Sequence, residues 1–322
     1  MNRIIFLVVM VAALGARPFL STASADLFGS GVSSFEIEFV HIGSPGNLPD
    51  ANPNPAGAVA YEYRIGKYEI SEQMIEKANA LGALGITIDD RGPDFPATSV
   101  TWFEAARFVN WLNTSTGSVP AYKFDDLGDF QLWDPMDAGY NAANLYRNSL
   151  AKYFLPSIDE WHKAAYYDPV NGVYYDYPTG SDAIPDGIDF VGDTMFDAVF
   201  FDGALNPGPN EITNVGLLSR NGTAGQGGNV YEWDETAFDR INNFANDGRA
   251  ILGGSWKTAA NVLLAAHTGI GILPSNEGDS IGIRIASVVP EPSSLLLACL
   301  WLLLLAASRA SRHAWVAAKQ RC

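Results

Sequence analysis

The chain has 322 residues and a formal net charge of −16. Phosphate binding needs clustered Lys and Arg, so this acidity argues against nucleic acid as a partner. Hydrophobic residues reach 48%, enough core for one large domain or two ordinary ones, while 31 Gly and 18 Pro point to a loop-rich fold rather than a helix bundle.

Residues 1–25 combine Arg3, an apolar run over 4–14 and the small-residue exit Ala23-Ser24-Ala25. This is the grammar of a secretory signal peptide cleaved before Asp26, with a buried N-terminal helix as the alternative. "FEIEFVHI" (35–42) alternates as a strand should. "AYEYRIGKYEI" (60–70) reads as a strand pair around Gly66. Ser71 is placed to cap a helix carrying Met74, Ala78 and Leu81 on one face. Thr101 and Glu104 form a capping box, followed by a face of Trp102, Ala106, Val109 and Leu112.

Residues 114–150 are Asp-, Asn- and Tyr-rich and read as irregular. Ser157 and Glu160 repeat the capping box, with Ile158, Trp161 and Ala165 facing inward. Asn171-Gly172 between Tyr-rich runs is a hairpin turn. A long Asp- and Gly-rich loop covers 180–210, and "NVYEWDE" (229–235) reads as an aromatic-anchored turn. "RAILGGSWKT" is an apolar strand ending in two glycines, and "SIGIRIAS" is a last short strand. No repeat or linker divides 35–287, and no regular strand–helix alternation supports a parallel sheet, so the domain is expected to be α+β.

The C-terminus reads Val289-Pro290-Glu291-Pro292, then an apolar run over 295–307, then Arg309, Arg312, Lys319 and Arg321. The run is short for an independent spanning helix of about 20 residues. The basic tail would hold the extreme end in the cytoplasm. This architecture resembles the bacterial PEP-CTERM sorting signal. The resemblance implies processing by an exosortase, association with exopolysaccharide export, and transient membrane anchoring through 288–322; a simple C-terminal anchor is the alternative. Either reading expects a domain outside the cytoplasmic membrane.

Both cysteines, Cys299 and Cys322, lie in this tail. The exported part therefore has no disulfide, thiol nucleophile or thiolate metal site. A Gly-x-Ser-x-Gly elbow is missing, which weighs against serine hydrolysis. The glycine-rich run 222–228 lacks the Gly-Lys-Ser/Thr ending of a phosphate loop. Asp89-Asp90 and Asp125-Asp126 are adjacent pairs that point apart on a strand and read as solvated charge. His41, His162 and His267 are far apart in sequence; they are either structural or, with a carboxylate, the ligands of a non-haem iron site assembled in space.

Four segments in order resemble the formylglycine-generating enzyme / sulfatase-modifying factor family: "FPATSVTWFEAARFVNWLN", "LPSIDEWHKAA", "GGNVYEWDE", and "ILGGSW" followed by "IGIRIAS". The resemblance implies a variant of the C-type lectin fold with short helices, short strands and long loops. It also implies copper-dependent oxidation of a substrate cysteine by two cysteines after the Gly-Gly-Ser-aromatic motif. Here that motif is Gly253-Gly254-Ser255-Trp256, and the matching positions are Thr258 and Leu263, so no copper is expected. Calcium is the ligand the resemblance leaves open, held by the carbonyls of Gly228 and Val230 and the carboxylate of Glu232. The family's Asn ligand falls on Gly225, and its second calcium site falls on Phe200-Phe201. Alternatively, Glu232 holds a backbone amide or Arg284. Taken together, the sequence implies an exported, calcium-stabilised binding or structural module without the family's oxidase chemistry. A metal-dependent oxidoreductase and a carbohydrate-binding module are the other readings.

Overall fold

The structure is a computed structural model that describes residues 24–51, 55–188, 195–204 and 207–290. The chain divides into two units, Met1–Ser287 and Val288–Cys322. Most of the expected signal peptide (1–25) and sorting segment (288–322), namely 1–23 and 291–322, lies outside the described residues.

The strands are β1 (Ser24–Phe28), β2 (Phe35–Ile42), β3 (Tyr63–Gly66), β4 (Lys123–Phe124), β5 (Phe130–Gln131), β6 (Tyr153–Phe154), β7 (Tyr167–Asp168), β8 (Val173–Tyr174), β9 (Tyr231–Ala237), β10 (Arg249–Leu252), β11 (Ile270–Ile272), β12 (Ile281–Gly282) and β13 (Ala286–Val288). The helices are α1 (Glu72–Gly82), α2 (Trp102–Ser115) and α3 (Ile158–Tyr166). One sheet runs β1-β2-β3-β13-β6 and a second runs β11-β10-β9-β12; β4-β5 and β7-β8 are small hairpins. Short helices and curled sheets joined by long loops are the expected α+β, C-type-lectin-like architecture.

The strongest local signals form where expected. β2 alternates buried Phe35, Ile37 and Phe39 with exposed Glu36 and Glu38. Both capping boxes close: Thr101 and Ser157 accept from the backbone N–H of Glu104 and Glu160, whose carboxylates accept in return. Trp102, Ala106, Val109 and Leu112 are all fully buried. The Asn171-Gly172 turn joins β7 to β8, with Gly172 at a φ of 69° that glycine adopts without strain.

Four expectations change. The strand pair around Gly66 is a single strand, because the N–H groups beyond it are drawn elsewhere: Lys67 to the carbonyl of Glu38, and Ile70 to that of Ile283. In α1 the buried face is Ile75 and Ala78, while Leu81 is exposed, and Ser71 makes no side-chain cap. "SIGIRIAS" divides between two sheets, β12 in one and β13 in the other. "NVYEWDE" is not a turn: from Tyr231 onward it is an inner strand of the second sheet, paired with both β10 and β12. Ser24 and Ala25, read as the leader's exit, lie in β1 and pair with β2. Asp26 on β1 takes a two-pronged contact from Arg64, 3.0 and 2.7 Å.

Candidate functional site

The strand β9 carries Glu232, Asp234 and Glu235, all fully buried, so each needs a partner. Glu232 finds Arg284, which sits where the chain crosses from β12 to β13. Arg284 Nε donates to both carboxylate oxygens at 3.0 and 2.8 Å, and Nη2 donates to Oε1 at 2.6 Å. Trp161 Nε1 on α3 donates to Oε2 at 2.6 Å. The remaining guanidinium hydrogens go to the carbonyls of Gly66, Lys67 and Ala224, at 2.9, 2.9 and 2.7 Å. A planar fork of donors thereby ties three separated segments to one carboxylate.

Glu69 lies beside this pair. Asn229 Nδ2 donates to its Oε1 at 2.9 Å, and its buried Oε2 has no partner among the described residues. Burial pushes the Glu69 carboxyl up to about 7, against the pull of Arg284 and with the push of Glu232. Gly225 packs directly on it: a Cβ there would stand 2.8 and 2.9 Å from the two carboxylate oxygens. Glu69 thus fills the space beside position 225, where the resemblance expects an Asn.

These contacts decide how calcium fits. Hard cations take oxygens with free lone pairs. Four donor contacts occupy the Glu232 carboxylate, a guanidinium lies beside it, and position 225 has no side chain. A divalent ion at Glu232 would have to displace Arg284 and Trp161, so the donor set does not fit calcium. Of the sequence alternatives, Glu232 holding Arg284 is what the structure contains. The carbonyls of Gly228 and Val230 lie in buried backbone, where Gly228 N–H donates to Gly253 at 2.8 Å. At the second expected calcium position, Phe200 is buried and Phe201 N–H donates to the Thr258 carbonyl at 2.9 Å.

Glu235 anchors a second buried cluster. Tyr122 Oη donates to it at 2.9 Å, Asn144 donates to its other oxygen, and Arg147 Nε lies 3.3 Å away. Arg147 also contacts Glu160 at 3.2 Å and stacks over Phe154 at 3.9 Å. Burial raises the Glu235 carboxyl above its usual range, opposed by Arg147 and reinforced by Glu160. This cluster ties α3 to β9 and to the irregular 140s segment, a tertiary link with no signal in the local sequence pattern.

At the positions expected to match the family's cysteines, Thr258 Oγ1 accepts from Ser255 N–H at 2.9 Å and donates to Ser255 O at 3.0 Å. Leu263 is fully buried with Tyr177, Ala198 and Phe200. A Cβ on Gly254 would come within 2.8 Å of Thr258 Oγ1 and 2.9 Å of Leu263 Cδ1, so no open space separates motif from side chains. The histidines take separate partners: His41 Nε2 pairs with Glu62 at 3.2 Å, His162 Nε2 with Asp50 at 3.1 Å, and His267 Nδ1 accepts from Gly269 N–H at 3.3 Å. Among the described residues no three metal-ligating side chains gather, so the spatial iron site is not formed.

A cleft lies elsewhere, over the first two turns of α2. It measures about 690 Å³. None of the sequence-predicted site residues lines it.

Comparison with known proteins agrees with the architecture. "Treponema denticola variable protein 1" superimposes with a TM-score of 0.61 at 19% identity, covering 83% of this chain and 100% of that one. CarF gives a TM-score of 0.55 at 18% identity, covering 79% and 99%. PvdO from Pseudomonas aeruginosa gives 0.50 at 15%, covering 82% and 98%. Identities this low establish the fold alone. No curated protein matches. Residues 51–289 match the sulfatase-modifying factor enzyme 1-like domain, and with that match spanning most of the sequence the chain belongs to this family.

Proposed function

We propose that the protein is an exported ligand-binding member of the family that does not oxidise cysteine. The carrying observation is the state of the would-be reactive positions. Thr258 satisfies its own turn, and Leu263 is sealed in an apolar cluster. Neither can act as a soft metal ligand or a redox thiol. The engagement of Glu232 by Arg284 supports the same view, because the polar centre stabilises the fold rather than presenting a reactive group.

Export is part of the proposal. It rests on the leader at 1–25 and on the Val-Pro-Glu-Pro tail, which would deliver the chain to an exosortase and place it with exopolysaccharide at the cell surface. The test is to incubate the full chain, copper-loaded and in air, with a cysteine-containing sulfatase peptide and to follow peptide mass. No conversion to the aldehyde is expected, and turnover would overturn the reading. Cell fractionation with an intact mass of the mature chain tests export, which fails if the leader remains on a cytoplasmic protein.

A further inference from the structure

The cleft over α2 carries several unengaged polar side chains. Phe103 and Arg107 of α2 line it together with Asp129, which precedes β5 in the adjoining β4–β5 hairpin. Asn246, Ser275 and Glu277 complete it from two loops. The side chains of Asp129, Asn246, Ser275 and Glu277 make no hydrogen bond or ion pair with any described residue. Arg107 is half-buried and has no acidic partner among the described residues; its one partner is the Phe124 ring, 5.8 Å away. By contrast Glu104, also at the rim, is engaged in the α2 capping box.

The walls are held in place without any ligand. Trp102 N–H donates to Pro274 O at 3.1 Å and Ser99 N–H to Gly278 O at 3.0 Å, which fixes the 275–277 loop against α2. Tyr146 Oη donates to Phe244 O at 2.8 Å and Arg249 Nη2 to Ala245 O at 3.0 Å, which fixes the loop carrying Asn246. Phe103 packs against Phe130 with ring centroids 6.2 Å apart, giving the cleft an aromatic side. A preformed cleft of this size, with a few convergent polar groups, has the character of a small-ligand site.

We infer that this cleft binds a neutral oligosaccharide, contacted by Arg107, Asn246, Asp129 and Glu277 and packed against Phe103. The inference rests on the binding-module reading and gives it a place and a ligand class. The charge pattern selects the class. An anionic ligand would meet Asp129 and Glu277, while a cationic peptide side chain would meet Arg107. A sugar carries no charge, and each hydroxyl both donates and accepts. Adjacent hydroxyls suit the paired oxygens of a carboxylate and the forked donors of a guanidinium. The C–H face of a pyranose ring suits an exposed aromatic edge.

The test is isothermal titration of the full chain with cellotriose, mannotriose and triacetylchitotriose, with dextran sulfate and oligolysine as charged comparators. At least one neutral trisaccharide should bind, and both charged probes should fail. Arg107→Ala and Asn246→Ala should each weaken that binding by about tenfold or more. Asn246 is exposed and free of internal bonds, so its variant retains the fold, and thermal melts of both variants check this. Glu62→Gln, at the separate His41 pocket, should bind like the parent. Binding that survives both cleft variants overturns the site. Oligolysine binding that depends on Asp129 and Glu277 overturns the ligand class, and so does failure of every neutral sugar. Neither result bears on cysteine oxidation, whose assay tests the parent reading separately.

Discussion

Two regions of this protein use the same side-chain types to opposite ends. The centre at Arg284, Glu232 and Trp161 and the cleft at Arg107, Asp129 and Phe103 each combine a guanidinium, carboxylate and aromatic ring. In the centre, every donor of Arg284 has an acceptor, and its partners come from remote parts of the chain. In the cleft, Arg107 rests on a ring, and the carboxylates of Asp129 and Glu277 accept from no described residue. Residue type therefore does not distinguish a structural cluster from a binding site; whether hydrogen-bonding capacity is already filled does.

The largest effect should come from breaking the closed region. Arg284→Met would leave Glu232 buried without its counter-charge, an imbalance that costs about 3–5 kcal/mol. Urea unfolding should show this as a midpoint fall at unchanged slope, or as failure to fold. A loss below about 1 kcal/mol would place Arg284 with weakly coupled surface ions instead. Next in size is Gly225→Ala. Gly225 has a φ of 75°, and a Cβ there meets the Glu69 carboxylate. A side chain held in that conformation costs about 1–3 kcal/mol. Pairing the change with Glu69→Ala should recover the share due to the collision, read from a double-mutant cycle.

The Glu69 carboxyl gives a smaller, pH-dependent signature. It titrates near 4.5 when unfolded and at about 7 in the fold. The folded state then binds more protons in that window, so stability falls as pH rises from about 4.5 through about 7. Glu69→Gln keeps a neutral group and should flatten this slope in melts across the window. An unchanged slope would assign the effect to another group. Smaller again is calcium: because Arg284 and Trp161 fill the Glu232 carboxylate, melts in calcium and in chelator should coincide. A clear rise with calcium would show that the folded chain binds the ion and would reopen the Glu232 site. In the open region, Asn246→Ala should likewise change stability little, by no more than about 0.5 kcal/mol, as for most surface changes. A larger loss would mean that the cleft is structural and would dissolve the contrast between the two regions.

Local order was legible where the chemistry was local. The capping boxes at Thr101 and Ser157 concern residues three apart, and the alternation of β2 concerns residues two apart. Such signals act before any tertiary contact forms. "NVYEWDE" misled for the opposite reason. Three acids within it suggest an exposed turn, yet the strand is buried because Arg284, Arg147, Tyr122 and Asn144 meet Glu232 and Glu235 from elsewhere in the chain. The cleft was illegible for a related reason. Arg107 and Asn246 each look like ordinary surface residues, and only the hairpin and two loops bring them to one opening.

The sequence by itself determined the family, through four ordered segments, and the residues at the positions matched to its cysteines, Thr258 and Leu263, with both cysteines confined to the tail. These follow from residue identity and need no geometry. Only the tertiary structure decided that Glu232 faces Arg284, that Glu69 fills the space beside Gly225, and that the histidines take separate partners. The reason is range: a carboxylate's partner is set by which side chains the fold brings within about 3 Å, and separation along the chain does not encode that distance.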